Sequence, residues 1–297
     1  MAADTQKSNK AIMSGMRQLE IRTRRMVNDS LAGAYHSVFK GRGMDFDEVR
    51  TIDWNVTARA GRPFVKKFTE ERELTILLLV DISASGNFGS GAQAKRDLAA
   101  ELASVLAFSA IRNSDKVGLV LYTDRIERYL PPKKGRRHVL RVVRDILFHT
   151  PQGRGTDTVK ALDVVNHVLH RRAIVFLISD FVAPGDPAAV RAGLCRAMRQ
   201  TNRRHDLVAV HVEDPHEREL PDVGILALED AETGEVIELD TASSAVRKRF
   251  KAAAEERSRR LVIDFRSEGV DTLQLRTDTP YIPALQRFFK TRERRRA

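Results

Sequence analysis

Five oxygen-bearing residues stand where an α/β protein binds its ligands. Asp81-Ile82-Ser83-Ala84-Ser85 follows the apolar run Leu74 to Val80, Thr156 ends Gly153-Arg154-Gly155-Thr156, and Asp180 follows the apolar run from Ala173 to Ser179. In an open parallel sheet, ligands bind beyond the C-terminal ends of the strands, where the winding reverses. Two carboxylates emerging side by side at such ends repel one another unless a cation intervenes. Ser83, Ser85 and Thr156 add hydroxyl oxygens, the last at an expected helix start. Oxygen donors without His or Cys suit Mg²⁺, with Mn²⁺ as an alternative, better than zinc. Taken singly, these residues are also ordinary turn and cap residues. The ordered set Asp-x-Ser-x-Ser, a distant Thr and a distant Asp points instead to a metal site.

Other chemistries fit less well. A strand-end Asp beside Mg²⁺ also describes haloacid-dehalogenase-like phosphatases, but their general acid, two residues after the nucleophile, is replaced here by Ser83. Gly86, Gly89 and Gly91 do not have the spacing of a dinucleotide-binding turn, and no P-loop motif occurs. Tyr129 and Lys133 match the spacing of short-chain dehydrogenases, yet Pro131 and Pro132 between them oppose a shared helix. His167 and His170 lack an evident third ligand. Cys195 reads as a small buried helix residue, and Trp54 as a packing anchor.

The elements that must position these residues follow from the hydrophobic pattern. From Glu73 onward, apolar strands alternate with helices: strands at 73–80, 116–123, 126–130, 173–180, 206–212 and 271–275, and helices near 92–112, 135–148, 156–171, 187–200, 243–260 and after Pro280. This pattern predicts an α/β fold, a doubly wound and mostly parallel sheet with helices on both faces. Residues 225–239 contain two alternating runs about a Glu-Thr-Gly-Glu turn and read as a hairpin appended to the sheet. Upstream, residues 11–31 read as a basic amphipathic helix. The chain divides into an N-terminal subdomain at 1–70, a core at 71–215, and a C-terminal part at 216–297 that completes the sheet and ends in a basic tail.

The flanking residues carry a resemblance. The five-residue set resembles the metal-ion-dependent adhesion site of the von Willebrand factor A domain. Arg50-Thr51-Ile52-Asp53-Trp54-Asn55, Phe64-Val65-Lys66-Lys67-Phe68 and Glu70-Glu71-Arg72-Glu73 resemble the domain-of-unknown-function 58 family within that superfamily. One departure is visible, since the Tyr-x-Pro-Gly-Asp-Asp segment usual in that family is absent and Asp45 to Arg50 joins Thr51 directly. The resemblance implies a non-enzymatic protein-interaction module in which Asp81, Ser83, Ser85, Thr156 and Asp180 hold Mg²⁺ and a partner carboxylate completes the shell. It also implies a MoxR-type AAA+ ATPase as partner. A metal-dependent hydrolase and a basic nucleic-acid-binding protein are the alternatives.

The 297 residues, 42% of them hydrophobic, can bury a substantial core, which excludes disorder as a description of the whole chain. A single cysteine excludes an internal disulfide framework. The sequence shows neither a signal-peptide pattern nor an uninterrupted membrane-length apolar run, so a cytoplasmic, soluble protein is expected. A formal charge of +11 first suggests nucleic acid. The arginine pairs are scattered over several elements without interleaved aromatics, and the terminal KTRERRRA reads as a tail that need not order. Steering of an acidic protein partner explains the surplus better.

Overall fold

The computed structural model describes residues 35, 38–39, 49–52, 65–68, 73–91, 93–229 and 236–296. The expected N-terminal helix and Trp54 lie outside the described residues. Two short strands, β1 (Val49–Ile52) and β2 (Val65–Phe68), pair antiparallel. The main domain then runs β3 (Thr75–Asp81), α1 (Lys95–Arg112), β4 (Lys116–Tyr122), β5 (Ile126–Lys133), α2 (Arg136–Phe148), α3 (Thr158–Val168), β6 (Ile174–Ser179), α4 (Pro187–Arg204) and β7 (Asp206–Glu213). After it come β8 (Ile225–Glu229), β9 (Val236–Asp240), α5 (Ser244–Ser267), β10 (Asp271–Arg276) and α6 (Tyr281–Arg296).

Six strands form one sheet in the order β10-β7-β6-β3-β4-β5, parallel except for the β5 edge. The doubly wound, mostly parallel α/β fold expected from the alternation is therefore the one observed. The order reverses between β3 and β6, so the ends of these two central strands flank the crevice where such sheets bind ligands.

The apolar strands are buried on both faces because helices cover both. On β3, Ile76, Leu78 and Val80 join the core under α1, α2 and α6, while Leu77 and Leu79 join the core under α3, α4 and α5. This two-residue alternation between two cores is why the strand shows no polar face. In β4, a Cβ at Gly118 would lie 2.9 Å from both Leu77 Cδ1 and Pro132 Cγ, so this position accepts only glycine without a shift.

Two details differ from the sequence reading. The β8–β9 hairpin forms its own two-stranded sheet and is not hydrogen-bonded to the large one. The KTRERRRA segment is helical through Arg296 and not a free tail. Arg292 is 4% exposed, stacks 4.9 Å above the Phe39 ring, and pairs with Asp206 and Asp271. Its charge is tied into the fold.

Candidate functional site

Asp81 is the last residue of β3, and Ser179 is the last of β6, the adjacent strand. The Ser83 N–H donates to Asp81 Oδ1 at 2.9 Å and the Ser179 hydroxyl donates to Oδ2 at 2.7 Å. The first bond closes a tight turn that folds Asp81, Ser83 and Ser85 toward one another. Ser83 Oγ and Ser85 Oγ lie 3.0 Å apart. Two adjacent oxygens around an octahedral Mg²⁺ with bonds of ~2.1 Å are separated by ~3 Å. The hydroxyl pair therefore already has the spacing of one edge of such a shell.

Asp180 follows β6 directly. Its Oδ1 accepts the Val182 N–H at 3.1 Å, and the Phe181 N–H donates to Ser179 Oγ at 2.9 Å. Phe181 adopts φ 58°, a left-handed conformation that costs a non-glycine residue energy. Its ring packs 4.9 Å from that of Phe265, which holds the turn and so fixes the direction of Asp180.

Thr156 reaches the same region on a third loop. The Ala84 N–H donates to the Arg154 carbonyl at 3.4 Å, tying this loop to the Asp81 turn, and Thr156 is buried. Glu127 on β5 clamps the loop by accepting from Gln152 N–H at 3.0 Å, Gly153 N–H at 2.7 Å and the Thr123 hydroxyl at 2.9 Å. Burial raises the Glu127 pKa, but these hydrogen bonds outweigh it and leave the carboxyl below its ordinary range. A Cβ at Gly153 would fall 2.0 Å from Asp124 Oδ1 and 2.2 Å from Thr123 Oγ1, so the close approach depends on glycine.

The electrostatics of the two carboxylates differ. Asp81 forms no ion pair among the described residues, and burial together with the Asp180 charge pushes its pKa up to about 7. Asp180 has a partner that the sequence reading missed: Lys95 Nζ lies 2.6 Å from Asp180 Oδ2 and 2.6 Å from Glu217 Oε1. Lys95 opens α1 and is 3% exposed; burial lowers its pKa, but the two carboxylates raise it further, so it is held charged. His211, beside Ser179 in the sheet register, is kept neutral, because burial outweighs Glu213 and Asp180. Nothing in the sequence pointed to Lys95 or to Glu217.

A cavity of about 20 Å³ lies among Asp81, Ser85, Ser179, Asp180 and Lys95, room for a single water-sized occupant. Ser83 and Thr156 do not line it. A wider cavity of about 260 Å³ adjoins it on Asp180, against Phe181, His211, Phe250 and Arg257. Among the described residues no three His, Cys, Asp or Glu side chains cluster to hold a metal. His167 is exposed and bonds the Asp163 carbonyl. Cys195 is half-buried, not fully buried as the sequence suggested; burial, Asp264 and Glu268 raise its pKa and keep it a thiol.

The fold and site define an open α/β domain with hard oxygen donors gathered at the switch point of its sheet. The chain belongs to the protein family of unknown function DUF58, whose match covers residues 43–260. It is 31% identical over 294 residues to an uncharacterized protein of Mycobacterium tuberculosis, covering 95% of this chain and 90% of that one. Among solved structures it is similar to the conserved hypothetical protein BatB from Bacteroides thetaiotaomicron, with TM-score 0.47, 16% identity and coverage of 74% of this chain and 99% of that one. It is also similar to the SpRpn10 VWA domain, with TM-score 0.39, 14% identity and coverage of 72% and 94%. In the described residues no helix is long and apolar enough to cross a membrane.

Proposed function

We propose that this protein is a non-enzymatic, cytoplasmic interaction module that captures an acidic side chain of a partner protein through Mg²⁺, or Mn²⁺, held at the strand ends. The observation that carries this reading is the buried Asp81 carboxylate, which faces Asp180 and has no cationic partner of its own among the described residues. A divalent cation between them would supply the missing charge. The donor set fits such a group: Ser83, Ser85 and Asp81 would hold it, with Thr156 and Asp180 within or behind its water shell.

Lys95 sets a condition on this. Asp180 already has one cation, so metal binding competes with, or shares, the Asp180–Lys95 pair. A site with few charged ligands leaves Mg²⁺ electrophilic, able to attract a partner carboxylate, and the adjoining cavity, where Arg218 and Arg257 stand among Asp180, Glu213, Glu217 and apolar side chains, offers room for the residues around it. The family resemblance suggests a MoxR-type AAA+ ATPase as that partner.

Calorimetric titration of Mg²⁺ and Mn²⁺ into wild type and Asp81→Ala tests the metal, with heat expected only in wild type; equal or absent heats in both would overturn it. Co-purification with the ATPase should be lost on chelation and in the Ser83→Ala, Ser85→Ala double variant. Recovery indifferent to both would count against a metal bridge.

A further inference from the structure

We infer that the open edge of β10 is a second docking site, one that takes an extended acidic peptide segment as an added strand. Among the described residues β10 has one strand partner, β7, and its outer edge is free. The two edges of the sheet differ in kind. The β5 edge carries Pro131 and Pro132, which lack N–H donors and discourage strand addition. The β10 sequence, Asp-Thr-Leu-Gln-Leu-Arg, keeps every N–H.

A cavity of about 330 Å³ runs along this edge. Its walls are arginines supplied by the flanking helices: Arg266 from α5 and Arg287, Arg292 and Arg295 from α6. Asp271 is the one acidic residue lining it, and it is engaged by Arg292 and Arg295. Arg266 and Arg287 meet no carboxylate among the described residues. Arg292 Nε and Nη1 and Thr272 Oγ1 are buried behind this wall without hydrogen-bond partners, Nε standing 3.4 Å from Asp271 Oδ2. Arg292 is 4% exposed and holds the wall in place, whereas Arg266 and Arg287 are exposed and open to a ligand. Arginines placed on an edge strand would serve only to deter pairing. Here they stand on two helices, on either side of a bare edge.

The geometry also specifies the occupant. Successive side chains of a strand point to opposite faces. Leu273 and Leu275 face the α6 side and Gln274 bonds Ser258 on the α5 side. An added strand would likewise direct alternate residues toward Arg266 on one face and toward Arg287, Ala284 and Phe288 on the other. Main-chain hydrogen bonds to β10 give affinity, and the arginines select acidic side chains.

The test uses the full chain and a fluorescein-labelled hexapeptide of alternating glutamate and valine, read by anisotropy. Wild type should bind it, while an alternating lysine and valine peptide should not bind. The Arg266→Glu, Arg287→Glu double variant, and separately N-methylation of alternate peptide amides, should each weaken binding at least about tenfold. Arg266→Gln with Arg287→Gln gives a milder loss should the charge reversal disturb folding. Asp81→Asn should leave this binding unchanged, which separates it from the strand-end site. Absent binding, indifference to the arginine substitutions, or equal affinity for the N-methylated peptide would overturn strand addition. An oligo-dT that binds more tightly than the peptide and is lost in the same variants would replace it with nucleic-acid binding.

Discussion

The Lys95 ammonium bridges Asp180 and Glu217, 2.6 Å from each, and so brings a helix start, a strand end and the segment after β7 to one buried charge. Removing one member of a buried ion pair costs about 3–5 kcal/mol, because the remaining charge is left without a partner. Lys95→Met is therefore expected to destabilise the metal-free protein by about that amount. Adding Asp180→Asn should recover most of the loss, since the orphaned charge is then gone. Chemical denaturation of the single and double variants checks both; a Lys95→Met protein as stable as wild type would show that the bridge is not a structural cation.

Asp81 predicts a pH dependence of the opposite sense from most acids. Its pKa is raised to about 7 in the folded protein, whereas an unfolded Asp titrates near ~3.9. Between these values the folded state holds a proton that the unfolded state releases, so stability falls as pH rises. The contribution is full below about pH 4 and is lost on passing through about 7. With chelator present, the difference in stability between pH 5 and pH 8 should shrink in Asp81→Asn relative to wild type. Identical pH slopes for the two proteins would refute an uncompensated Asp81 carboxylate.

The loop that carries Thr156 gives a steric prediction. An alanine at residue 153 would press its Cβ into Asp124 and into Thr123, which the Glu127 clamp holds. Gly153→Ala should cost about 1–3 kcal/mol, the usual range for overpacking. Gly91→Ala is the control, because nothing lies within 4 Å of its added Cβ and its effect should stay within about 0.5 kcal/mol. Equal effects from the two substitutions would mean that the loop shifts freely.

What the sequence revealed has a physical boundary. Asp81, Ser83 and Ser85 were legible because they lie within five consecutive residues at the end of an apolar strand, so local geometry alone converges them. The parallel sheet was legible because β3, β4, β6 and β7 are apolar on both faces. Lys95 was not read, since a lysine in a first helical turn ordinarily faces water and its burial depends on two carboxylates distant in sequence. The hairpin was placed on the large sheet because alternation predicts strands but not which edge they join. The terminal charge run read as a solvated tail because its anchor, Arg292, differs from its neighbours only through Asp206, Asp271 and Phe39.

That anchor supplies the last expectation. Arg292 is nearly fully buried between Asp206, at the start of β7, and Asp271, at the start of β10, with the Phe39 ring beneath it. Arg292→Met keeps much of the side-chain volume but removes the buried charge shared by Asp206 and Asp271, of which Asp271 keeps Arg295, and it should cost up to about 3–5 kcal/mol. Arg292→Lys preserves the charge but not the planar fork that reaches both acids, so an intermediate loss is expected. Arg294→Met, in the same charge run, is expected to change stability by no more than about 0.5 kcal/mol. Denaturation midpoints of the three variants decide the matter: equal, small effects would return the whole segment to a solvated tail, whereas a selective loss at Arg292 makes the last helix part of the core.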